Sequence, residues 1–233
     1  MKASSSTSEY KLKVTEPFRL DLTVAVLRRL SINIVDIFTS EGHSIRALDD
    51  FCEPVIVRVT QTQPAMLTCT IEGEASDHSQ ALTIVRRILG VESDISHFHR
   101  AARKVPWLWP LATAMKGVKP PRYPTLWEAY VNAILFQLVS LAAASSILRR
   151  IVSAIGLTIE RDKITFHTFS SVESFMSTSD DLLRTAGLST SKLATLRRVA
   201  DAIESKLLNE TLLEGLPSPE AAALLRQIKG IGS

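Results

Sequence analysis

No stretch of this chain is apolar for long enough to cross a bilayer. The longest candidate, Ala129 to Leu148, is broken by Asn132, Gln137 and three serines, so it falls short of the roughly 20 apolar residues a spanning helix needs. Met1 to Ser8 is rich in Ser and Thr with no apolar core behind it, so it reads as a floppy tail and not as a secretion signal. Cysteine is scarce. Cys52 and Cys69 sit in apolar, strand-like surroundings; reduced, half-buried thiols in a cytoplasmic protein are expected, with a disulfide left open. Cys and His nowhere take the spacing of a zinc or iron–sulfur site. The five His residues offer no acid–base pair, and His97 and His99, flanking Phe98 on a helical stretch, read as surface. A strong excess of one charge is also lacking. Net charge is +3, with 13 Lys+Arg against 13 Asp+Glu in residues 1–115 and 14 against 11 in residues 116–233. The small excess lies wholly in the second part, which permits an anionic partner without demanding one.

What remains is an ordinary globular composition, 45% hydrophobic and 22% charged over 233 residues, enough for one large or two modest domains. The pattern changes character near Lys116 to Pro124. Before it, Leu22, Val26, Leu27 and Leu30 have helical spacing, Ile32 to Phe38 alternates like a strand, and Val55 to Thr60 and Ala65 to Glu72 are β-rich runs around a Thr62-Gln63-Pro64 turn. Ser79 to Leu89 returns to helical period and stops at Gly90, a helix C-cap. This is a compact α+β module. After Pro120-Pro121 the chain is nearly all helix. Thr125 and Glu128 form a capping box opening a helix to about Val139. Ser140 to Ile155 is a second helix ended by Gly156, and Leu157 to Phe166 reads as a small hairpin around Arg161-Asp162. Shorter helices follow at Val172 to Met176 and Asp180 to Ala186, then long amphipathic ones at Ser191 to Leu208 and Pro219 to Ile228.

The last helix, with Ser218 as N-cap and Pro219 at its first position, breaks into Lys229-Gly230-Ile231-Gly232-Ser233. Both glycines can take positive φ, and without side chains they let a phosphate approach the backbone amides closely. Ile231 between them is expected to point inward and lock the turn. The ending reads either as a plain C-cap with a tail or as the first half of a helix-hairpin-helix, a sequence-independent clamp on a DNA backbone.

Three further segments bear on that choice. They are Lys119-Pro120-Pro121-Arg122-Tyr123-Pro124-Thr125-Leu126-Trp127-Glu128 leading into Ala133 to Ser140; Leu182 to Ser189 with Lys192, Leu196 and Ala200; and Leu225-Arg226-Gln227-Ile228 before the Gly-Ile-Gly. Together, in this order, they resemble the DNA-3-methyladenine glycosylase II family of helix-hairpin-helix base-excision enzymes. The mixed N-terminal region looks like that family's TATA-binding-protein-like domain, down to Arg86-Arg87-Ile88-Leu89-Gly90, so the similarity covers about residues 17 to 233. The resemblance implies a flexible tail at 1–16, a small α+β domain at 17–115, and an all-helical helix-hairpin-helix domain at 116–233 that is incomplete at its end. Apolar faces on the Ala129–Ser140 and Lys192–Leu207 helices are then expected to be left uncovered.

The resemblance also implies function. A base-excision enzyme extrudes a base and fills the gap with an apolar wedge. The family's wedge falls on Leu138, with Gln137 beside it and Ser140 following; on the residues alone Leu138 also reads as core. Lys192, Lys229, Gly230, Ile231 and Gly232 are the remaining expected DNA contacts. No cofactor is implied beyond a structural monovalent cation on the backbone carbonyls of Arg226, Ile228 and Ile231. The implied activity is hydrolysis of the N-glycosidic bond of an alkylated base by a monofunctional glycosylase, a DNA-repair activity placed in the nucleus or at the nucleoid. The implied partner is double-stranded DNA with a damaged base, bound by a monomer. The family's catalytic Asp is expected beyond Ser233, because Asp180, Asp181 and Asp201 match no catalytic position. On this reading the 233 residues are inactive alone. A non-catalytic DNA-binding module is the other reading.

Overall fold

The computed structural model describes residues 6–49, 51–161 and 163–231. The chain divides into two compact units, Met1–Pro124 and Thr125–Ser233. The first is an antiparallel sheet with helices. Strands β1 (Ser6–Lys13), β2 (Ile37–Phe38), β3 (Ser44–Leu48), β4 (Val55–Gln63) and β5 (Met66–Gly73) lie in the order β1-β5-β4-β3-β2. Alternation sets the faces: Leu67, Cys69 and Ile71 on β5 and Val55, Val57 and Val59 on β4 enter the core. There they meet α1 (Leu20–Arg28) through Val24 and Leu27, and α2 (His78–Leu89) through Ala81, Val85 and Ile88. Gly90 ends α2 in a left-handed conformation, φ 58°, its amide donating to the carbonyls of Arg86 and Arg87. Short helices α3 (Ser96–Ala102) and α4 (Trp109–Ala114) complete the unit.

Two expectations change here. The segment 1–16 is not a tail throughout, because Ser6–Lys13 pairs along its whole length with β5, from Ser6 opposite Gly73 to Lys13 opposite Met66. Its exposed side alternates polar residues, which is why it resembled a floppy segment. The border lies after Pro124 and not at 115/116. Lys119 is fully buried in the first unit, its amide donating to Thr23 Oγ1 at 3.1 Å and its ammonium to the Ser93 carbonyl. Desolvation holds that ammonium's pKa below the usual lysine value, against the opposing pull of Asp94. The Arg122 amide donates a further hydrogen bond to the Ile88 carbonyl. Ile32 to Phe38, expected as a strand, contributes only Ile37–Phe38.

The second unit is built on helices. They are α5 (Leu126–Leu135), α6 (Leu141–Ile155), α7 (Val172–Ser177), α8 (Asp180–Thr185), α9 (Thr190–Glu204), α10 (Glu210–Gly215) and α11 (Ser218–Arg226). A two-stranded ribbon, β6 (Thr158–Arg161) with β7 (Ile164–His167), interrupts them; Asp162, expected at its turn, lies outside the described residues. Side-chain caps open the helices where Ser, Thr or Asn precede them: Thr125, Ser140, Ser171, Ser179, Ser189 and Asn209 each accept an amide from the first turn. For α11 the cap is Pro217 with no side-chain bond, and Ser218 is already helical. Most of the apolar faces expected to be uncovered are instead buried, with Leu138, Val139 and Leu207 left exposed. α5 packs on α9, enclosing Tyr130, Val131, Ile134 and Leu135 from one and Leu193, Leu196, Val199 and Ala200 from the other.

The cysteines are both free, Cys52 exposed and Cys69 buried, rather than both half-buried. Burial pushes the Cys69 thiol up to about 12, so it has almost no thiolate at neutral pH. The prediction is that a thiol reagent at pH 8 titrates one cysteine in the native chain and two in guanidinium. Two reacting native thiols would show that β5 is not the core strand described.

Candidate nucleic-acid interface

α5 stops at Leu135, and Phe136 to Val139 carry the chain to Ser140, whose Oγ accepts the Ala143 amide at 3.2 Å and opens α6. Between the two helices Leu138 stands wholly in solvent, at 104% relative exposure. Its backbone is left-handed, φ 56°. For a residue with a branched apolar side chain and a Cβ, that conformation costs roughly 1–2 kcal/mol. Gln137 and Ser140 are exposed beside it, as are Val139 and Leu141. Leu138 is therefore no core leucine, whereas Ile134 and Leu135 are.

Lys192 decides how this loop is held. Its ammonium donates to the Leu135 carbonyl at 2.8 Å and to the Gln137 carbonyl at 2.9 Å. These are carbonyls at the end of α5, which lack an intrahelical partner. Desolvation lowers the Lys192 pKa from the ordinary lysine value. The lysine expected to meet DNA is thus engaged inside its own domain. Sequence pattern could not find this, because a lysine in a first helical turn is ordinarily a solvated one.

The turn after α11 lies against the same helix. Gly230 has φ 102°, and a Cβ there would stand 2.2 Å from Thr195 Oγ1; Thr195 is buried, with its hydroxyl on the Ser191 carbonyl. Only glycine satisfies both the dihedral and the contact. Arg198 donates to the Lys229 carbonyl at 3.1 Å. Ile231 is half-buried, and its amide donates to the Ile228 carbonyl at 3.0 Å, so that amide closes the turn. Lys229 is exposed, and the Arg226 guanidinium folds back on the Ala222 carbonyl. Gly232 lies outside the described residues. The structure thus ties two of the expected stretches to α9: the loop of Leu138 through Lys192 on the Gln137 carbonyl, and the turn at Lys229 and Gly230 through Arg198 and Thr195. Sequence reasoning missed Thr195 and Arg198.

The three Asp residues considered from the sequence take the following places. Asp180 pairs with Arg197 at 2.9 Å, and Asp181 and Asp201 are exposed on their helices. Among the described residues no group of three His, Cys, Asp or Glu side chains is placed to hold a metal ion. No described helix is long and apolar enough to cross a membrane.

No protein-family model matches the sequence, and no curated protein matches it either. Solved structures do. A 3-methyladenine DNA glycosylase from Archaeoglobus fulgidus superposes with TM-score 0.79 at 20% identity, over 96% of this chain and 75% of that one. An 8-oxoguanine glycosylase/lyase from Clostridium acetobutylicum, bound to double-stranded DNA with cytosine opposite 8-oxoguanine, gives 0.73 at 13% identity over 98% and 74%. MBOgg1, in complex with a low-affinity DNA ligand, gives 0.72 at 18% identity over 100% and 76%. The chain has the fold of base-excision DNA glycosylases. At such identities the likeness is one of architecture.

A prediction follows from Gly230. Gly230→Ala combines an unfavourable dihedral with the clash at Thr195, together about 1–3 kcal/mol of local strain, and should displace the turn while leaving the α5–α9 core folded. Amide exchange read by mass spectrometry should rise in 226–231 and stay unchanged in α5. Unchanged exchange in both would show that the turn does not depend on that contact.

Proposed function

We propose that this chain binds and opens damaged duplex DNA as part of a base-excision glycosylase acting on alkylated bases of the 3-methyladenine type. Leu138 carries the reading. A leucine held in water forgoes roughly 1.5–3 kcal/mol of burial, and its left-handed backbone adds strain. A fold that holds both at one residue, with a lysine fastening the loop, presents an apolar side chain for insertion. Extruding a base costs a few kcal/mol of stacking and pairing. A wedge in the vacated space offsets part of that cost with new apolar contact, while kinking the duplex.

The turn at Lys229 to Ile231 supplies the complementary function. Gly230 lets the backbone approach a phosphate, and Lys229 adds an exposed positive charge. Gln137 and Ser140 flank the wedge as polar contacts. A monovalent cation suits neutral carbonyl oxygens of this kind. Ile228 has given only one of its carbonyl lone pairs to the Ile231 amide, so Arg226, Ile228 and Ile231 could hold such an ion. Bound there, it would add positive charge behind the turn. The partner is double-stranded DNA with a damaged base, and the binding unit is one chain.

Hydrolysis of the N-glycosidic bond passes through a cationic sugar and needs a carboxylate below it. Asp180 is tied to Arg197, while Asp181 and Asp201 lie on helix surfaces. That favours a division in which the described residues grip and flip while an Asp elsewhere cleaves. It also supports the second reading, a DNA-binding module without chemistry.

Two predictions test this. Leu138→Ala should leave the fold intact, since the side chain packs on nothing, and should weaken preference for an abasic-site mimic over plain duplex by about 1–3 kcal/mol. The salt dependence should be unchanged because no phosphate contact is lost. Equal binding of mimic and plain duplex by the parent chain would overturn the wedge. Separately, incubation of the 233-residue chain with duplex carrying 3-methyladenine or hypoxanthine should yield no abasic sites above the uncatalysed level. Turnover would assign the chemistry to a carboxylate already present.

A further inference from the structure

Lys192, Thr195 and Arg198 follow one another at three-residue intervals on α9, so they share one side of the helix. Each touches a different part of the candidate interface. Lys192 holds the carbonyls of Leu135 and Gln137 on either side of the loop's start. Thr195 lies under Gly230, where it leaves no room for a Cβ. Arg198 holds the Lys229 carbonyl. The helix is itself fixed from its other side by Arg197, which donates to the carbonyls of Phe175, Met176 and Thr178, pairs with Asp180, and stacks over the Phe175 ring at 5.1 Å.

We infer that α9 is a ruler that sets the Leu138 wedge and the Gly230 turn at a fixed spacing, with Lys192 a positioning residue for the wedge and not a phosphate contact. This rests on the reading of Leu138 as wedge and of Lys229 to Ile231 as backbone clamp. The six helical steps from Lys192 to Arg198 span about 9 Å along the axis, the rise of two to three base pairs at ~3.4 Å each. A wedge and a clamp on one duplex must keep such a spacing, because a slip of one relative to the other loses both contacts. A hydrogen-bonded helix keeps it far better than two loops in water could. Lys192 has a further task at its own end of the ruler. Leu138 is strained, and without a donor on the Leu135 and Gln137 carbonyls the loop could relax toward a right-handed backbone that turns the leucine inward. An ammonium offers three donors on a flexible stem and can serve two carbonyls at once.

The test uses the 233-residue chain and two duplexes, one plain and one with an abasic-site mimic, titrated over a salt series. Lys192→Met keeps the stem and removes the donors. The expected result is a loss of preference for the mimic of roughly tenfold, with plain-duplex affinity and salt slope unchanged, and no further loss when combined with Leu138→Ala. A parallel loss on both duplexes with the salt slope lowered by about one marks a phosphate contact and overturns the inference. So does an unchanged preference, or a loss that adds to that of Leu138→Ala. Should Lys192→Met fail to fold, Lys192→Gln, which keeps N–H donors but no charge, decides the matter. It should retain the full salt slope and lose part of the preference, and a slope lowered by about one or an unaltered preference counts against the ruler. If Leu138→Ala itself leaves the preference intact, the wedge reading has failed, which the Lys192 variants alone cannot mimic.

Discussion

Helices in a small domain end in carbonyl groups that no further turn can satisfy, and the second unit resolves this with cationic side chains. Lys192 serves the end of α5, Arg197 the end of α7, and Arg198 the turn beyond α11. Arg150 on α6 does the same for α8, donating to the Ala186 carbonyl at 2.7 Å. Cations are favoured at helix C-termini both as donors and as partners of the negative dipole end. Three of these four side chains belong to α9, so one helix joins ends that are far apart in sequence. Leaving a buried carbonyl without its donor costs roughly 1–3 kcal/mol, comparable to the strain at Leu138. The exposed loop therefore depends on α9 more than on its own residues.

Positive charge consequently has a different role here from the one composition suggests. The small excess of Lys and Arg in residues 116–233 permits a polyanionic partner. Much of it is nevertheless directed inward at carbonyls, and Lys119 is buried altogether in the first unit. What faces outward at the candidate interface includes Leu138 with its exposed neighbours Gln137, Val139, Ser140 and Leu141, and a glycine turn with Lys229. Under the proposed function, such a surface suits a duplex recognised by its backbone and its deformability more than by its base sequence. The likeness in fold to DNA glycosylases extends over nearly the whole chain.

Local patterns made most helices legible. Ser or Thr before an apolar-periodic run marked the true starts at Thr125 and Ser140, because a cap is a local hydrogen bond; the helix expected from Ser191 begins at Thr190, capped by Ser189. The central strands around Thr62-Gln63-Pro64 were legible for the same reason, as alternation and turn lie within one short window. β1 was not legible. A polar edge strand looks like a tail until its partner is known, and β5 lies more than fifty residues away in sequence. The unit border was set by the change of pattern near Lys116 to Pro124, and only the partners of Lys119, Thr23 and Ser93, tie that stretch to the first unit.

The candidate interface divides along the same line. The sequence by itself determined that a glycine turn follows a helix near the end of the chain and that a leucine at 138 lies at the end of the helix that precedes Ser140, since both follow from residue type and spacing. Whether that leucine faces water or core depends on the left-handed backbone at Leu138 and on Lys192, fifty-four residues onward, holding the loop. Whether the turn is fixed depends on Thr195 and Arg198 meeting Gly230 and Lys229. Those are long-range contacts to backbone atoms, which every residue has and which therefore leave no mark on side-chain pattern. Only the tertiary structure decided them.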